Sequence, residues 1–206
     1  MRLGILGGSF DPVHYGHLLL AETGRDQGSL DRVWFLPAAT PPHKRHRRMA
    51  TGAQRMAMLE MATEDHPSFG VTQLELDRGG VSYTVDTVGE IHSRYPNAEL
   101  FLLMGADSLA DLPTWKHVGQ ICQLATPMVV CRAGEPAPDF DRLQGLLPPA
   151  QVAAMRRQQV QMPQVGLSSS EIRRRVAANI SIRYQTPPEV VEFIRQQGLY
   201  RDADSV

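Results

Sequence analysis

The feature that most constrains this chain is a glycine turn near its beginning, Gly7-Gly8-Ser9-Phe10-Asp11-Pro12-Val13-His14-Tyr15-Gly16-His17, which follows the apolar residues 3–6 without a spacer. The apolar run is typical of a strand buried on both faces, and paired glycines let the backbone approach a ligand where a Cβ atom would clash. Apolar residues recur after Gly16-His17, which predicts a helix that begins there. The stretch therefore predicts a strand, a tight turn and a helix in direct succession.

This turn has the chemistry of an anion site. Backbone N–H groups at a helix start and the helix dipole both favour negative charge, and a phosphate is the ligand that such a turn suits. His14 and His17 are three residues apart, so both imidazoles can face one spot and add donors that titrate near neutral pH. Taken alone, two histidines at this spacing also fit a plain turn with surface side chains or a pair of metal ligands.

The alternation of predicted elements indicates the fold class. Runs of apolar and β-branched residues predict strands at residues 32–37, 69–71, 99–104 and 128–131, with helical patterns between them. A helix over Val85, Val88 and Ile91 is expected to be capped by Ser82 or Thr84, and a last helix is expected over 187–197. This alternation predicts an α/β fold with a parallel sheet wound on both faces.

Length, charge and cysteine content set the remaining bounds. The 206 residues suit one domain over 1–206, with a small C-terminal helical part from about residue 167. A net charge of −1 gives no global field toward nucleic acid or membrane. The two cysteines lack metal-ligand spacing, and no apolar run reaches transmembrane length. We therefore expect a cytoplasmic protein without nucleic-acid or membrane partners, whereas the oligomeric state stays open.

Two further segments could bind anions. A loop after the second predicted strand carries Pro41-Pro42-His43-Lys44 and three arginines, at the edge where ligands gather in open α/β sheets. The run Leu167-Ser168-Ser169-Ser170-Glu171-Ile172-Arg173 offers hydroxyls and a guanidinium at a helix start. Its serine-to-glutamate spacing also fits an ordinary capping box. A solvated basic loop and a plain helix start are the simpler alternatives.

These motifs carry a family resemblance. The first turn resembles the Gly-(Ser/Thr)-Phe-Asp-Pro-x-His-x-Gly-His signature of nucleotidyltransferases that share a Rossmann-like fold with class I aminoacyl-tRNA synthetases. Over nearly the whole chain, the Pro-Pro-His-Lys, Ser-Tyr-Thr, Gly-x-Asp-Ser and serine-arginine motifs, Trp115 and the Gln-Gly-Leu-Tyr end resemble bacterial nicotinate-nucleotide adenylyltransferases. In the serine-arginine motif, Leu167 and Ser170 replace an isoleucine and a threonine.

The resemblance implies a Rossmann-like doubly wound sheet and adenylyl transfer from ATP to nicotinate mononucleotide, giving deamido-NAD and pyrophosphate. Mg²⁺ would bind through the ATP phosphates, with no metal ligand from the protein. Catalysis falls on His14, His17, Lys44 and Arg173. The other implied ATP contacts are Gly7, Gly8, Ser9, Phe10, Ser168 and Ser169 on the triphosphate side, and Gly105 and Asp107 at the ribose. The implied pyridine contacts are Tyr83, Thr84, Val85 and Trp115, with Trp115 stacking on the ring.

Other functions stay open at this stage. A pantetheine-phosphate adenylyltransferase resembles the same signature but has threonine at the position of His14, and a nicotinamide-mononucleotide enzyme would differ only in the pyridine it accepts. A module that binds nucleotide without turnover could dispense with His17 and Arg173, and both are present. A nucleic-acid binder would use residues 44–48, although the near-neutral charge and the lack of interleaved aromatic residues argue against it.

Overall fold

The computed structural model describes residues 1–41, 49–132 and 137–201, and its centre is a six-stranded sheet. The hydrogen-bonded order is β3-β2-β1-β4-β5-β6, and every neighbouring pair is parallel. This finding confirms the predicted α/β, Rossmann-like doubly wound sheet. The strands are β1 (Arg2–Gly8), β2 (Arg32–Pro37), β3 (Phe69–Val71), β4 (Glu99–Gly105), β5 (Thr126–Arg132) and β6 (Val160–Met162).

Helices cover both faces of the sheet. They are α1 (Tyr15–Gln27), α2 (Gly52–Thr63), α3 (Leu74–Arg78), α4 (Thr84–Arg94), α5 (Ala106–Asp111), α6 (Val118–Leu124), α7 (Pro149–Arg157), α8 (Ser169–Ala177) and α9 (Pro188–Gln196). The apolar core accordingly has two halves, one between the sheet and α1, α2, α8 and α9, the other between the sheet and α3 to α7.

Strand β4 shows why the sheet is covered twice. Its residues are apolar without a break from Leu100 to Met104, and successive side chains of a strand point to opposite faces. Leu100, Leu102 and Met104 pack into the half-core that contains α4, whereas Phe101 and Leu103 pack into the half-core that contains α2 and α8. A continuous apolar strand therefore needs a helical layer on each side, as parallel sheets generally do.

The structure corrects two sequence predictions about helix starts. The N-cap of α4 is Tyr83 and its side chain makes no capping bond, so the expected cap by Ser82 or Thr84 is wrong. The Ser82 hydroxyl instead accepts a hydrogen bond from the Ala39 backbone N–H at 2.9 Å. At α8 only half of the expected capping box is formed, because Ser168 accepts from the Glu171 N–H while the Glu171 carboxylate accepts from Arg174.

Several short elements were not predicted from the sequence. Strand β6 is a Val-Gln-Met segment among further glutamines, and the helices α3, α5 and α6 have at most seven residues, so none of them shows a clear apolar pattern. Among the described residues, no helix combines the length and apolarity needed to cross a membrane.

The C-terminal helices pack on the same face as α1 and α2. Ile172 of α8 and Val190 and Ile194 of α9 belong to that half-core. The division of the chain into one domain with a C-terminal helical part from about residue 167 stays a prediction.

Candidate active site

The sheet order places a crevice at the carboxyl ends of β1 and β4. From β1 the chain continues to β2 and β3 on one side, and from β4 it continues to β5 and β6 on the other, so these two neighbours form the topological switch point. Gly7 lies near the end of β1 and Gly105 ends β4. Within residues 1–41, 49–132 and 137–201, a Cβ atom at either glycine would meet no atom within 4 Å apart from its chain neighbours, so the backbone here borders space that a ligand can enter.

Gly8 and Phe10 determine how the turn packs against the core. A Cβ atom at Gly8 would lie 3.1 Å from the Phe10 ring, so the glycine makes room for that side chain. Phe10 is 1% exposed and packs against Phe35, with ring centroids 5.8 Å apart. Of these predicted ATP-binding residues, Gly7 therefore faces the crevice, whereas the Phe10 side chain belongs to the core.

The two histidines meet at the start of α1, as the sequence predicted. Their rings stack with centroids 3.7 Å apart, and a Cβ atom at Gly16 would lie 2.9 Å from His14 Nδ1, so only glycine leaves space for this arrangement. The His14 backbone N–H donates to His17 Nδ1 at 3.2 Å. Because Nδ1 accepts, the proton of the neutral ring resides on Nε2. The helix start is therefore equipped with an imidazole N–H donor.

The turn between β1 and α1 is held in place by hydrogen bonds that distant parts of the chain make to its backbone. Its polar main-chain groups bond to side chains and backbone from distant parts of the sequence, which fixes the direction of the remaining N–H groups. These bonds run from Arg55 to Ser9 O (2.9 Å), from Arg173 to Asp11 O, from Ser169 to Pro12 O (2.9 Å), from Thr186 to Val13 O (2.7 Å), and from the Tyr15 N–H to Gln185 O (3.1 Å).

Asp11 connects these attachments. Its carboxylate Oδ1 accepts from the Ala50 backbone N–H at 3.1 Å and from the Tyr200 hydroxyl at 2.7 Å, and Oδ2 lies 3.7 Å from Arg173 Nη1. Burial first and the Asp11 charge second raise the pKa of the Tyr200 phenol, so it acts here as a neutral donor. Asp11 is 1% exposed, which makes it a buried anion surrounded by donors.

The serine-arginine helix start lies beside the turn, as predicted. Ser168 caps α8, Ser169 holds the Pro12 carbonyl, and Ser170 accepts a 3.0 Å hydrogen bond from Arg173. Arg173 is 3% exposed, and its partners include Ser170 of its own helix and Asp11 of the turn. Direct contact of Ser169 and Arg173 with ATP phosphates stays a prediction.

Three more residues were predicted for the nucleotide side of the site, two of them as ribose contacts and one as a catalytic residue. Gly105 is the N-cap of α5, and Asp107 is exposed in its first turn, at the carboxyl end of β4. These positions agree with a location near the crevice. Lys44 lies outside the described residues, and its role stays a prediction.

A second, smaller cavity of about 240 Å³ gathers the predicted pyridine contacts. Half-buried Trp115 forms part of its wall, directly after the short 3₁₀ turn Leu112–Thr114. Val85 does not line this cavity and is 4% exposed, so its side chain serves the core. Its backbone N–H, in the first turn of α4, has no acceptor within that helix. The lining residues are Ser82, Tyr83, Thr84, Ser108, Asp111, Thr114, Trp115, Lys116 and Ile121.

Sequence reasoning missed a lysine at the rim of this cavity and a buried polar pair beneath it. Lys116 Nζ lies 4.5 Å above the Tyr83 ring and 4.0 Å from the Asp86 carboxylate, which brings a cation to the rim. Glu75 and Thr87 are buried and joined by a 2.7 Å hydrogen bond beneath the start of α4. A lysine directly after Trp115 was the one signal in the sequence that could have pointed to the rim.

Two other features bear on the chemistry. Burial raises the pKa of the Cys122 thiol to about 11, which disfavours a reactive thiolate there. Within the described ranges, no group of three or more histidine, cysteine, aspartate or glutamate side chains could hold a metal ion.

A larger surface groove of about 950 Å³ lies between the end of α8 and α9, and none of the described site residues line it.

Comparisons with known proteins agree with this geometry. The model of the "Cytidylyltransferase-like" family matches residues 5–175. A relative from Thermomicrobium roseum, described as "Probable nicotinate-nucleotide adenylyltransferase", is 43% identical over 205 residues, which cover 100% of this chain and 94% of the relative. A relative with the same description from Thermus thermophilus is 42% identical over 98% of this chain and 100% of its own length.

Solved structures show the same fold. The nicotinic acid mononucleotide adenylyltransferase of Plasmodium falciparum, solved in complex with NaAD, superposes with a TM-score of 0.77 over 97% of each chain at 17% identity. The same enzyme complexed with APC gives a TM-score of 0.75 over 97% of this chain and 96% of the other. At 17% identity these structures show a likeness of fold alone. The family is shown by the sequence relatives, which match over nearly the whole chain. The chain belongs to the nicotinate-nucleotide adenylyltransferase family of cytidylyltransferase-like nucleotidyltransferases.

Proposed function

We propose that this chain transfers the adenylyl group of ATP to nicotinate mononucleotide, forming deamido-NAD and pyrophosphate in NAD biosynthesis. The observation that carries the proposal is the arrangement at one edge of the sheet. The turn with its two stacked histidines follows β1, and the aromatic cavity includes Ser108, just beyond the neighbouring strand β4. Such an edge offers adjoining places for a triphosphate and for a ring-bearing acceptor.

The triphosphate would lie against the turn. Backbone N–H groups of Gly8 and Ser9, the start of α1 and the Nε2–H of His17 all favour an anion there. Ser168, Ser169, Lys44 and Arg173 would add charge and donors from the other segments, and Gly105 and Asp107 would contact the ribose. The attachments of the turn support this placement because donors that are already oriented need no reorganisation when charge develops.

The reaction is a direct displacement. A phosphate oxygen of the mononucleotide attacks the α-phosphorus of ATP, the bond from that phosphorus to the bridging oxygen breaks, and the electron pair leaves with pyrophosphate. The protein's part is to align the reactants and to stabilise the negative charge on the transferring and leaving groups. His14 and His17 supply donors at that place, and the inert, buried Cys122 is consistent with a route without a covalent enzyme intermediate.

Mg²⁺ would enter as the Mg–ATP complex. Among the described residues, no group of three acidic or imidazole side chains is placed to hold a metal ion. Bound to ATP, Mg²⁺ would neutralise part of the phosphate charge. The cytoplasmic location and the absence of nucleic-acid and membrane partners stay predictions.

Substrate choice would be made in the cavity beside Trp115. The free N–H groups at the start of α4 favour a carboxylate by roughly 0.3 to 2 kcal/mol through the dipole, and charged hydrogen bonds add about 1.5 to 3 kcal/mol. The Lys116 cation at the rim acts in the same direction. Nicotinamide presents an NH₂ group to these donors, so the pocket should disfavour it by leaving them unpaired.

Incubation with Mg–ATP and one acceptor at a time tests the proposal, with release of pyrophosphate as the readout. We expect kcat/KM for nicotinate mononucleotide to exceed that for nicotinamide mononucleotide by about 10²-fold, the factor allowed by the energies above. Phosphopantetheine should give no release above background. Equal values for the two pyridines would refute selection of the carboxylate, and release with phosphopantetheine alone would replace the proposed acceptor.

A further inference from the structure

Arg55 is a buried cation whose surroundings are unusual. It lies on α2, is 2% exposed, and belongs to neither the glycine-histidine turn nor the serine-arginine motif. Its Nε donates to the Ala50 carbonyl at 3.1 Å and its Nη1 to the Ser9 carbonyl at 2.9 Å. Both acceptors are neutral, whereas buried guanidinium groups are ordinarily matched by a carboxylate because an unpaired buried charge is strongly unfavourable.

The Asp11 carboxylate, which these contacts link to Arg55, also has other partners. Ala50, which accepts from Arg55, donates its N–H to the Asp11 carboxylate, so the two charges flank one residue. The same carboxylate faces Arg173, whose side chain is also buried. The third partner of Asp11, the Tyr200 phenol, is neutral because burial and Asp11 raise its pKa. The contacts of this cluster thus join two guanidiniums to one carboxylate beneath the turn, and the buried Glu75 carboxylate adds a weaker attraction on Arg55.

The pKa of Arg55 reflects its burial. Removal from water lowers the pKa of its guanidinium, and the opposing attraction of Asp11, with a weaker one of Glu75, does not offset that effect. A charge in such a position is screened less by water and salt than one on the surface. An anion placed on the outer side of the turn would therefore interact favourably with it, although the two would not touch.

We propose that Arg55 is a positioning residue of the adenylyl-transfer site, which fixes the Ser9 carbonyl and supplies from beneath the turn positive charge that the ATP triphosphate balances. The inference rests on the proposed function, since it takes the triphosphate as the ligand of the turn. It adds a role for a residue that sequence motifs do not mark. A purely structural Arg55, which only ties α2 to the turn, would affect stability without changing the affinity for ATP selectively.

Three variants separate these roles. Arg55→Gln removes the charge and keeps a donor, Arg55→Lys keeps the charge but offers a single donor group to two carbonyls, and Tyr200→Phe disturbs the same cluster without altering its charge. The readouts are the Kd of a non-hydrolysable ATP analogue by calorimetry, KM for each substrate, and Tm. The analogue measurement needs no turnover, so it does not depend on the identity of the acceptor.

We expect Arg55→Gln to weaken the analogue and raise KM for ATP by about tenfold, with KM for the mononucleotide within about twofold. Arg55→Lys should keep the analogue Kd within about threefold, and Tyr200→Phe should lower Tm while leaving that Kd within about twofold. An unchanged Kd in folded Arg55→Gln overturns the proposal. If Arg55→Gln does not fold, Arg55→Met, which also removes the charge, replaces it in the same measurement, and an unchanged analogue Kd in that folded variant overturns the proposal.

The same data separate this inference from the proposed function. If the wild-type protein binds the analogue and Arg55→Gln weakens it, but no pyrophosphate is released with nicotinate mononucleotide, the proposed acceptor fails and the role of Arg55 stands. If adenylyl transfer proceeds and the variants bind the analogue equally, the function stands and the role of Arg55 fails.

Discussion

The turn between β1 and α1 and the cavity beside Trp115 are held in different ways. The turn is attached through its backbone to buried side chains, and its carboxylate, Asp11, is 1% exposed. The rim of the cavity is built from half-exposed side chains, such as the Lys116–Asp86 pair, in which each side chain is 44% exposed. This difference indicates that the turn proposed for the triphosphate is rigid before a ligand binds, whereas the exposed rim proposed for the acceptor is less constrained.

The acceptor side has one rigid part, which lies below the rim. Thr87 bonds to Glu75 and to Arg78 at 2.7 Å each, and this network steadies the first turn of α4. Gly79 and Gly80 precede it with φ of +66° and +67°, a conformation that side-chain-bearing residues rarely adopt. The helix start is therefore held from below, while half-buried Trp115 and exposed Lys116 form the wall above it.

The comparison predicts its largest effect at Asp11. Asp11→Ala should lower the free energy of unfolding by about 3 to 5 kcal/mol, because it leaves buried guanidiniums without their anion. The matched change on the acceptor side, Asp86→Ala, breaks an exposed ion pair and should cost less than about 1 kcal/mol. Urea denaturation measures both, and similar losses for the two variants would show that the sides are equally rigid.

The chemistry should depend most on the rigid side. His17→Ala should lower kcat by about 10²- to 10³-fold, as expected when one preorganised donor to transition-state charge is lost, with a smaller change in KM for ATP. His66→Ala is the control, because His66 pairs with Glu22 away from the turn. Steady-state kinetics provide the test, and a kcat within twofold of the wild type would remove His17 from the mechanism.

Binding of the acceptor should depend on the adjustable side. Trp115→Ala should raise KM for nicotinate mononucleotide by about tenfold, since stacking on a ring contributes about 1 to 3 kcal/mol. KM for ATP should hardly change, and the preference between the two pyridines should persist because the start of α4 is intact. Measuring KM for both substrates checks this expectation, and an equal rise in both would mean that the two parts of the site are coupled.

The smallest effect concerns single attachments of the turn. Thr186→Val removes the donor to the Val13 carbonyl and should cost about 1 to 2 kcal/mol of unfolding free energy, because a buried carbonyl loses its partner. Thr114→Val removes a bond to the Asp111 carbonyl in an exposed turn, where water can replace it, and should cost less than about 0.5 kcal/mol. Thermal unfolding of the two variants compares them, and equal Tm values would argue against a special role of the attachment.

Much of the fold could be predicted because its signals are local. Runs of apolar and β-branched residues predicted five of the strands, and β6 escaped because its three residues include a glutamine and lie among further glutamines, so they do not stand out as an apolar run. The cap of α4 was wrong since a contact distant in sequence, the Ala39 N–H, uses the Ser82 hydroxyl. Local propensity cannot anticipate such competition.

The family, the doubly wound class and the pairing of His14 with His17 could be read from the sequence, because they depend on motifs, on the alternation of elements along the chain and on local spacing. The contacts of Asp11, Arg55, Thr186 and Tyr200 become apparent only in the tertiary structure. Their bonds join residues as far as 189 positions apart, and a buried charge has meaning only with its neighbours in space. The sequence marks the turn proposed to bind phosphate, and packing determines how firmly the groups of that turn are held.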